Sequence, residues 1–369
     1  MKCNKQNAPS LASGATGGSG ATLGAVASRG AGKVGMHTAV IIAAVVLVVL
    51  FFASFMIGQY PISPSGVLDI LGAKIFGYES AEPAMAQTIV WKVRLPRVVA
   101  AVLIGAALAV AGAVYQGLFK NPMVSPDILG ASSGAGFGAA LALLFSLPYA
   151  MVQGSAFVFG ILAVAIAYLI CTRVSRGKDA VLMLILAGMV VSTLFSSFIT
   201  LIKYVADPES KLPEITYWLM GSLATVNQRD VLFLIVPLLL GVVPTFILRW
   251  RLNVMVFGDE EAASLGLNVK RIRGILIVCA TLLTATAVAV AGMIGWIGLI
   301  IPHMCRFIVG PNYKDLVPMS LLTGGVFLLV VDCLARTLFT TEIPLGILTS
   351  LIGAPFFVYL LFKRKKESA

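Results

Sequence analysis

The sequence predicts an all-α polytopic membrane protein. Hydrophobic residues make up 59% of the 369 residues and charged residues only 12%, and the mean hydropathy is +0.98. A soluble domain carries about 25% charged residues, so lipid is the expected main solvent. About ten apolar runs of helical length recur along the chain. The formal net charge of +11 does not indicate a nucleic-acid partner, because the basic residues lie in short clusters between these runs.

The first 37 residues differ from the rest of the chain. Residues 9–35 are rich in Gly, Ala and Ser and show no apolar periodicity. We therefore predict a disordered cytoplasmic extension over 1–37, followed by a single transmembrane domain over 38–369. The run at 38–58 is too long for the core of a signal peptide and lacks a clear cleavage site, so we interpret it as a retained helix.

Spanning helices are predicted from apolar runs of about 20 residues, the length that crosses a bilayer. The third run is glycine-rich and the eighth is short, so either could be a broken or half-buried helix. The ten runs cover 38–58, 98–118, 128–147, 152–171, 180–202, 231–249, 274–293, 295–309, 317–338 and 346–362.

The distribution of positive charge predicts the orientation. With both termini in the cytoplasm, 19 of the 27 lysines and arginines fall on the inner side. The positive-inside rule favours this arrangement. Tyr60, Tyr149, Tyr204 and Trp250 then lie near the ends of spans, where interfacial aromatic residues are enriched.

A short sequence match suggests an internal repeat. Ala109-Val110-Ala111-Gly112 recurs as Ala289-Val290-Ala291-Gly292, and a proline follows each copy after about ten residues. The two helices run in opposite directions in the predicted topology, as in the inverted repeats of many transporters. Four small residues can also match by chance, so both interpretations remain open.

Acidic residues are nearly absent from the predicted spans. Only Asp332 lies inside one, and Arg336 follows four residues later, a spacing that permits an ion pair. Ion-coupled carriers place ionisable groups at mid-membrane, so an ion-coupled secondary transporter acting without an ATPase is the less favoured alternative. The chain has no nucleotide-binding motif. The driving energy would then come from a partner, unless the chain is a scaffold or receptor without transport.

The longest internal cytoplasmic loop, 249–273, is a candidate docking segment. Asp259, Glu260 and Glu261 open a short predicted helix, where acids favour the helix dipole. Small residues follow, and Gly266 is placed to end the helix. Such a helix could enter a cleft of another protein, and a solvated connector is the alternative.

Several motifs spread over residues 90–360 together resemble the FecCD-type permeases of type II ABC importers, the family of cobalamin, iron–siderophore and haem importers. They begin with Arg94-Leu95-Pro96-Arg97. The other matching segments are 116–123, 125–130, 133–136, 217–222, 258–266, 295–303, 342–346 and 353–356. The extension before residue 38 carries no family motif.

The resemblance implies an assembly. A homodimer of ten-helix subunits would lie in the inner membrane of a prokaryote and bind two cytoplasmic ABC ATPases. A soluble binding protein would deliver the cargo on the outer side. The resemblance implies no catalytic residue, no cofactor and no metal site in this chain, and no nucleic-acid partner.

The resemblance also assigns roles to basic residues. Arg94, Arg97 and Arg336 resemble outer arginines that receive glutamates of the binding protein. We expect them to form exposed ion pairs, which contribute only about 0–1 kcal/mol each and mainly orient and steer the partner. The alternative is contact with phospholipid headgroups of the surrounding membrane.

Further residues of this chain resemble coupling and gating elements of the family. Asn121 and Met123 resemble a cytoplasmic constriction of the translocation pathway, although Asn-Pro is also an ordinary helix stop. His303 and Cys305 are not interpreted as a metal site, because two ligands do not close one. The residues that resemble the ATPase-coupling segment are Asp259, Glu260, Glu261, Ala262, Ala263, Leu265 and Gly266.

The cargo implied by the resemblance is a metal chelate. An iron–siderophore complex is the leading expectation, with haem or cobalamin next. Recognition of the cargo is expected to reside largely in the binding protein, because a pathway lined by small and apolar side chains carries little chemical specificity.

Overall fold

Each of the ten predicted runs coincides with a helix. The computed structural model describes residues 35–174 and 180–367, and these residues contain no strand. Residues 1–34 of the predicted extension over 1–37 lie outside the described residues, and its last two residues, Met36 and His37, belong to α1. The α-helices are α1 (Met36–Ser54), α2 (Pro64–Phe76), α3 (Ala84–Thr88), α4 (Leu95–Leu118), α5 (Ala131–Leu144), α6 (Tyr149–Val174), α7 (Ala180–Val205), α8 (Lys211–Met220), α9 (Gln228–Phe257), α10 (Asp259–Ser264), α11 (Val269–Ala291), α12 (Ile297–Val309), α13 (Tyr313–Ala335) and α14 (Leu345–Glu367).

Seven helical stretches of the described chain are long and apolar enough to cross a membrane. Three further apolar helices are shorter, at Ala131–Leu144, Ile297–Val309 and Leu345–Tyr359. The all-α polytopic fold class is therefore confirmed. Length alone does not establish ten crossings, because a helix of 13 or 14 residues is shorter than the hydrocarbon core of a bilayer.

The helix containing the two arginines of the Arg-Leu-Pro-Arg motif begins earlier than the sequence predicts. Helix α3, a π-helical segment (Ile89–Arg94) and α4 form one continuous stretch, Ala84–Leu118. Pro96 lies just after the π-helical segment and would clash with the carbonyl group of Lys92 in a regular α-helix. The widened π turn accommodates this proline. The arginines consequently lie inside a helix rather than at its first turn.

Helix α4 is the centre of the bundle. In the most apolar part of the stretch Ala84–Leu118, 83% is buried inside the protein, against 11% in the corresponding part of α1. Gly105 packs against Gly324 of α13, and Gly112 packs against Gly298 of α12. Glycines allow two helix backbones to approach closely, which matters in lipid because the hydrophobic effect does not drive helices together there.

Two polar contacts connect α4 and the adjoining turn with their surroundings. Tyr115 is fully buried and its hydroxyl group lies 3.1 Å from that of Thr281 in α11. A 3₁₀ turn (Pro126–Leu129) follows α4, and Ser132 donates a hydrogen bond to Asp127 within it. Buried polar groups are costly in a membrane unless they are paired, so these contacts help to fix the positions of the helices.

On the predicted outer side, α2 is anchored to the loop that follows it. Asp69 accepts hydrogen bonds from the Ser80 hydroxyl group at 2.5 Å and from the Ala81 amide at 2.9 Å. These bonds, that of Ser80 first, lower the pKa of Asp69 because they favour the ionised form. The loop before the central helix is thereby held against α2.

Enlarging Gly112 should destabilise the bundle. A Cβ atom at this position would collide with the Gly298 carbonyl oxygen, which is backbone and cannot rotate away. We expect Gly112→Ala to cost about 1–3 kcal/mol or more and to lower the thermal unfolding temperature in detergent, measured by tryptophan fluorescence. Gly154→Ala is the matched control, since a Cβ atom there meets nothing within 4 Å. Equal stability of the two variants would contradict the proposed backbone contact.

Candidate functional site

Five charged residues form a group at the predicted outer end of the bundle, here called the outer ion cluster: Arg94, Arg97, Asp332, Arg336 and Glu342. Asp332 is completely buried in α13 and lies between two arginines. Its Oδ1 atom accepts from Arg97 Nε at 2.8 Å, and its Oδ2 atom lies 3.2 Å from Arg336 Nε. The second contact is an ion pair by distance but is not aligned as a hydrogen bond. The predicted pairing of Asp332 with Arg336 is thus present.

Glu342 connects this cluster with the segment that leads into α14. Its carboxylate accepts from Arg97 Nη1 at 2.7 Å, and its side chain is 34% exposed, in contrast to the buried Asp332. The same residue also borders a cavity described below. Arg97 therefore bridges a buried carboxylate and one that solvent can reach.

Besides a contact of Arg336 with the Cys333 sulfur, the other hydrogen bonds of Arg94 and Arg336 go to carbonyl groups at and just after the end of α1. Arg94 donates to the Phe55 and Tyr60 oxygens. Arg336 donates to the Ile57 oxygen at 3.0 Å and to the Ser54 oxygen at 3.3 Å. The last carbonyl groups of a helix lack partners within the helix and carry partial negative charge. The two guanidinium groups thus satisfy the end of α1 and attach it to α4 and α13.

Burial of these arginines corrects one expectation from the sequence. Arg94, Arg97 and Arg336 are only 4%, 5% and 5% exposed, so they do not form exposed ion pairs. The positive-inside count reports on which side of the membrane a residue lies and carries no information on burial. Their role in docking a binding protein remains a prediction.

A cavity of about 440 Å³ opens beside the outer ion cluster. Its walls include the carboxylates of Glu214 and Glu342 and the aromatic rings of Tyr149, Tyr217 and Trp218. Backbone hydrogen bonds connect the helix ends beside this cavity. The Leu345 amide donates to the Gly221 oxygen at 2.9 Å, and the Ser222 amide to the Ala291 oxygen at 2.8 Å. The start of α14 is thereby joined to the ends of α8 and α11.

The two residues predicted to form a cytoplasmic constriction lie directly after α4. Asn121 Oδ1 accepts from the Met123 backbone amide at 2.9 Å, and the Asn121 backbone amide donates to the Gln116 backbone carbonyl oxygen at 3.1 Å. Asn121 borders a second cavity, at the opposite end of the bundle from the outer ion cluster. These contacts describe an ordered helix end, and the gating role remains a prediction.

The predicted coupling segment contains a short helix, as expected from its sequence. Asp259, Glu260 and Glu261 occupy the first turn of α10, and Gly266 ends the turn after it with a left-handed φ of 79°. Asp259 pairs with Arg273 at 2.7 Å, which ties α10 to α11. Ala262 is buried and Leu265 is 70% exposed. The segment thus has an inner face fixed to the bundle and an exposed apolar side chain.

Comparison with known proteins establishes the family. The model of the FecCD transport family matches residues 46–363. The chain belongs to the FecCD transport family. The sequence-based resemblance is therefore confirmed over most of the transmembrane domain.

Curated relatives and a solved structure cover most of the FecCD chain. It is 42% identical to the molybdate import system permease protein of Haemophilus influenzae, covering 87% of this chain and 94% of that protein. It is 41% identical to the cobalamin import system permease protein of Halobacterium salinarum, covering 77% and 76%. A solved chain from an ABC transporter assigned to the metal-chelate type, in an inward-facing conformation, is 40% identical with a TM-score of 0.79, covering 88% and 98%.

Sequence analysis missed two features of this FecCD chain. Glu342 was recognised only as part of a family motif, because its pairing with Arg97 spans 245 positions in the chain. Asp230, at the start of α9, is buried and accepts from Gln153 at 2.9 Å. The pattern Asn227-x-x-Asp230 before an apolar run could have been recognised as a capping box, which the structure contains.

Among the described residues, no group of three His, Cys, Asp or Glu could hold a metal ion.

Removing the central carboxylate of the outer ion cluster should destabilise the protein strongly. Asp332→Asn leaves Arg336 without a carboxylate and Arg97 with Glu342 alone, both in a buried setting. Breaking a buried pair in this way costs about 3–5 kcal/mol, which thermal unfolding in detergent would detect. The control is Glu214→Gln, since the Lys211–Glu214 pair is exposed and should contribute at most about 1 kcal/mol. Similar stability of both variants would mean that the cluster is not a structural anchor.

Proposed function

We propose that this FecCD chain is the membrane permease subunit of an ATP-driven importer and has no hydrolytic activity of its own. The observation that carries the proposal is the large share of this chain and of its relatives that can be aligned. A permease relative at 42% identity aligns over 94% of its own length and 87% of this chain, and the solved ABC transporter chain at 40% identity aligns over 98% and 88%. The chain contains no nucleotide-binding motif, so ATP hydrolysis belongs to a partner. The proposed location is the inner membrane of a prokaryote.

The state of Asp332 argues against the ion-coupled alternative. A proton- or sodium-coupling carboxylate must exchange its ion during transport, and Asp332 instead contacts two buried arginines. Each of its two carboxylate oxygens faces a guanidinium group, so neither is left to bind a transported ion. This geometry suits a structural anchor.

We further propose three kinds of partner: a second copy of this chain, two cytoplasmic ABC ATPases and an extracytoplasmic binding protein. For the ATPase, support comes from α10 and the residue after it, since Glu260 and Leu265 are exposed while Ala262 is buried. An exposed apolar side chain directly after an acidic helix is suited to insertion into a cleft of another protein.

For the binding protein, support comes from the charge balance of the outer ion cluster. Three arginines face two carboxylates, Asp332 and Glu342, so the cluster carries a net positive charge. Glu342 is partly exposed, and a glutamate of the binding protein could compete with it for Arg97. Docking of the binding protein would then loosen the contact that Glu342 makes and so affect the segment that leads into α14.

We propose a metal chelate as cargo, with iron–siderophore first and haem or cobalamin next. Support comes from relatives described as an iron chelatin permease in Helicobacter pylori and a hemin permease in Yersinia pestis, besides the cobalamin permease. Molybdate is a second candidate, because a relative at 42% identity is a molybdate permease.

Co-purification from the native membrane in mild detergent tests the proposed assembly. We expect mass spectrometry to find an ABC ATPase with the tagged chain, and a binding protein at low salt that is lost as salt rises. The metal and organic ligand carried by that binding protein would identify the cargo. A chain recovered alone that still transports solute in liposomes would contradict the proposal.

An acidic substitution at Leu265 tests ATPase docking. Leu265→Asp should leave folding intact, because the side chain is 70% exposed. It should lower the amount of ATPase recovered and the ATP-driven uptake by about tenfold, since a charge replaces an apolar contact. Leu68→Asp in α2 is the matched control, with a side chain 68% exposed on the predicted outer side. Full ATPase recovery with Leu265→Asp would exclude α10 as the docking element.

A further inference from the structure

The larger of the two cavities described here lies at the predicted cytoplasmic end of the bundle and is unusually basic. It has a volume of about 640 Å³ and is formed by the end of α4, the end of α9 and the turn between α12 and α13. Lys120, Arg306 and Lys314 line it, and no Asp or Glu does. We call it the inner basic cavity.

None of these three cations takes part in an ion pair of the described chain. Arg306, which is half-buried, donates to the neutral side chains of Gln116 and Tyr313 and lies 5.9 Å from the centre of the Tyr313 ring. Neutral acceptors hold the guanidinium group in place without compensating its charge. A half-buried cation without a carboxylate partner favours an anion from outside the chain.

The polar walls of the cavity are ordered by contacts among themselves. Asn253 donates to Asn312 at 2.8 Å and accepts from the Tyr313 amide at 2.8 Å. These bonds fix the start of α13, which Asn312 also caps by accepting from the Lys314 amide at 3.0 Å. Lys120 adopts a left-handed φ of 51°, a conformation that is costly outside glycine and recurs at functional sites. The walls are therefore preorganised rather than formed on binding.

We infer that the inner basic cavity binds a phosphate group. Two ammonium groups and one guanidinium group around one volume match the charge and multiple acceptor oxygens of a phosphate. The headgroup of an anionic lipid and a soluble phosphate compound share this chemistry. Trp250 borders the cavity and is 52% exposed, as an aromatic residue at a lipid interface would be. Basic pockets on the cytoplasmic side of membrane proteins commonly bind such headgroups.

Binding measurements on the delipidated full-length chain in detergent test this inference. One arm adds phosphatidylglycerol against phosphatidylcholine, and the other adds inorganic phosphate or pyrophosphate at constant ionic strength. The readout is the ligand-dependent shift in unfolding temperature, converted to an apparent affinity. We expect Lys120→Gln with Lys314→Gln to weaken binding about twenty-fivefold, because each basic residue near a phosphate contributes about a factor of five. Both lysines are exposed, so the variant should fold.

The control variant, Lys74→Gln with Lys92→Gln, removes two exposed lysines remote from the cavity and should bind like the unmodified chain. A response to phosphatidylglycerol alone would identify a lipid headgroup as the occupant, and a response to phosphate or pyrophosphate a soluble one. Equal binding by both variants, or no preference for either probe over phosphatidylcholine, would overturn the inference. Transport could persist in that case, so failure here is distinguishable from failure of the proposed function.

Discussion

The close approach of α4 to α12 and α13 is the contact on which the rest of the bundle depends. Gly105 and Gly112 bring its backbone against Gly324 and Gly298. In lipid, helices associate through packing and polar contacts, because apolar side chains are solvated equally well by acyl chains. Dispersion between closely packed backbones is therefore a major attractive contribution. The same closeness brings Arg97, near the start of α4, within reach of Asp332 in α13.

The outer ion cluster adds a polar constraint to this packing. Buried charges are expensive, and their mutual attraction compensates for desolvation only when the geometry is good. Here the arginines contact both carboxylates and the carbonyl groups at the end of α1, so four parts of the chain meet at one point. A cluster of this kind specifies how helices are arranged more than it adds stability. In the proposed importer, the outer ion cluster would also connect the surface where the binding protein docks with the segment before α14.

The two ends of the bundle differ in chemistry. The outer cavity combines carboxylates with aromatic rings, whereas the inner basic cavity has only cations among its charged residues. The inner cations are consistent with the positive-inside rule, but that rule requires only that they face the cytoplasm. Their convergence on one cavity, held by amide side chains, goes beyond it and is the basis of the inferred phosphate site.

The fold class, the ten apolar helices, the short acidic helix α10 and the family could all be predicted from the sequence. These features depend on local composition and on spacing within a few turns, as the Asp332–Arg336 pair also does. Three other features are visible only in the folded chain: the burial of Arg94 and Arg97, the pairing of Glu342 with Arg97, and the cavity shared by Lys120, Arg306 and Lys314. Each of these depends on residues far apart in the chain. Their proximity is set by helix packing, which the spacing of residues along one helix does not encode.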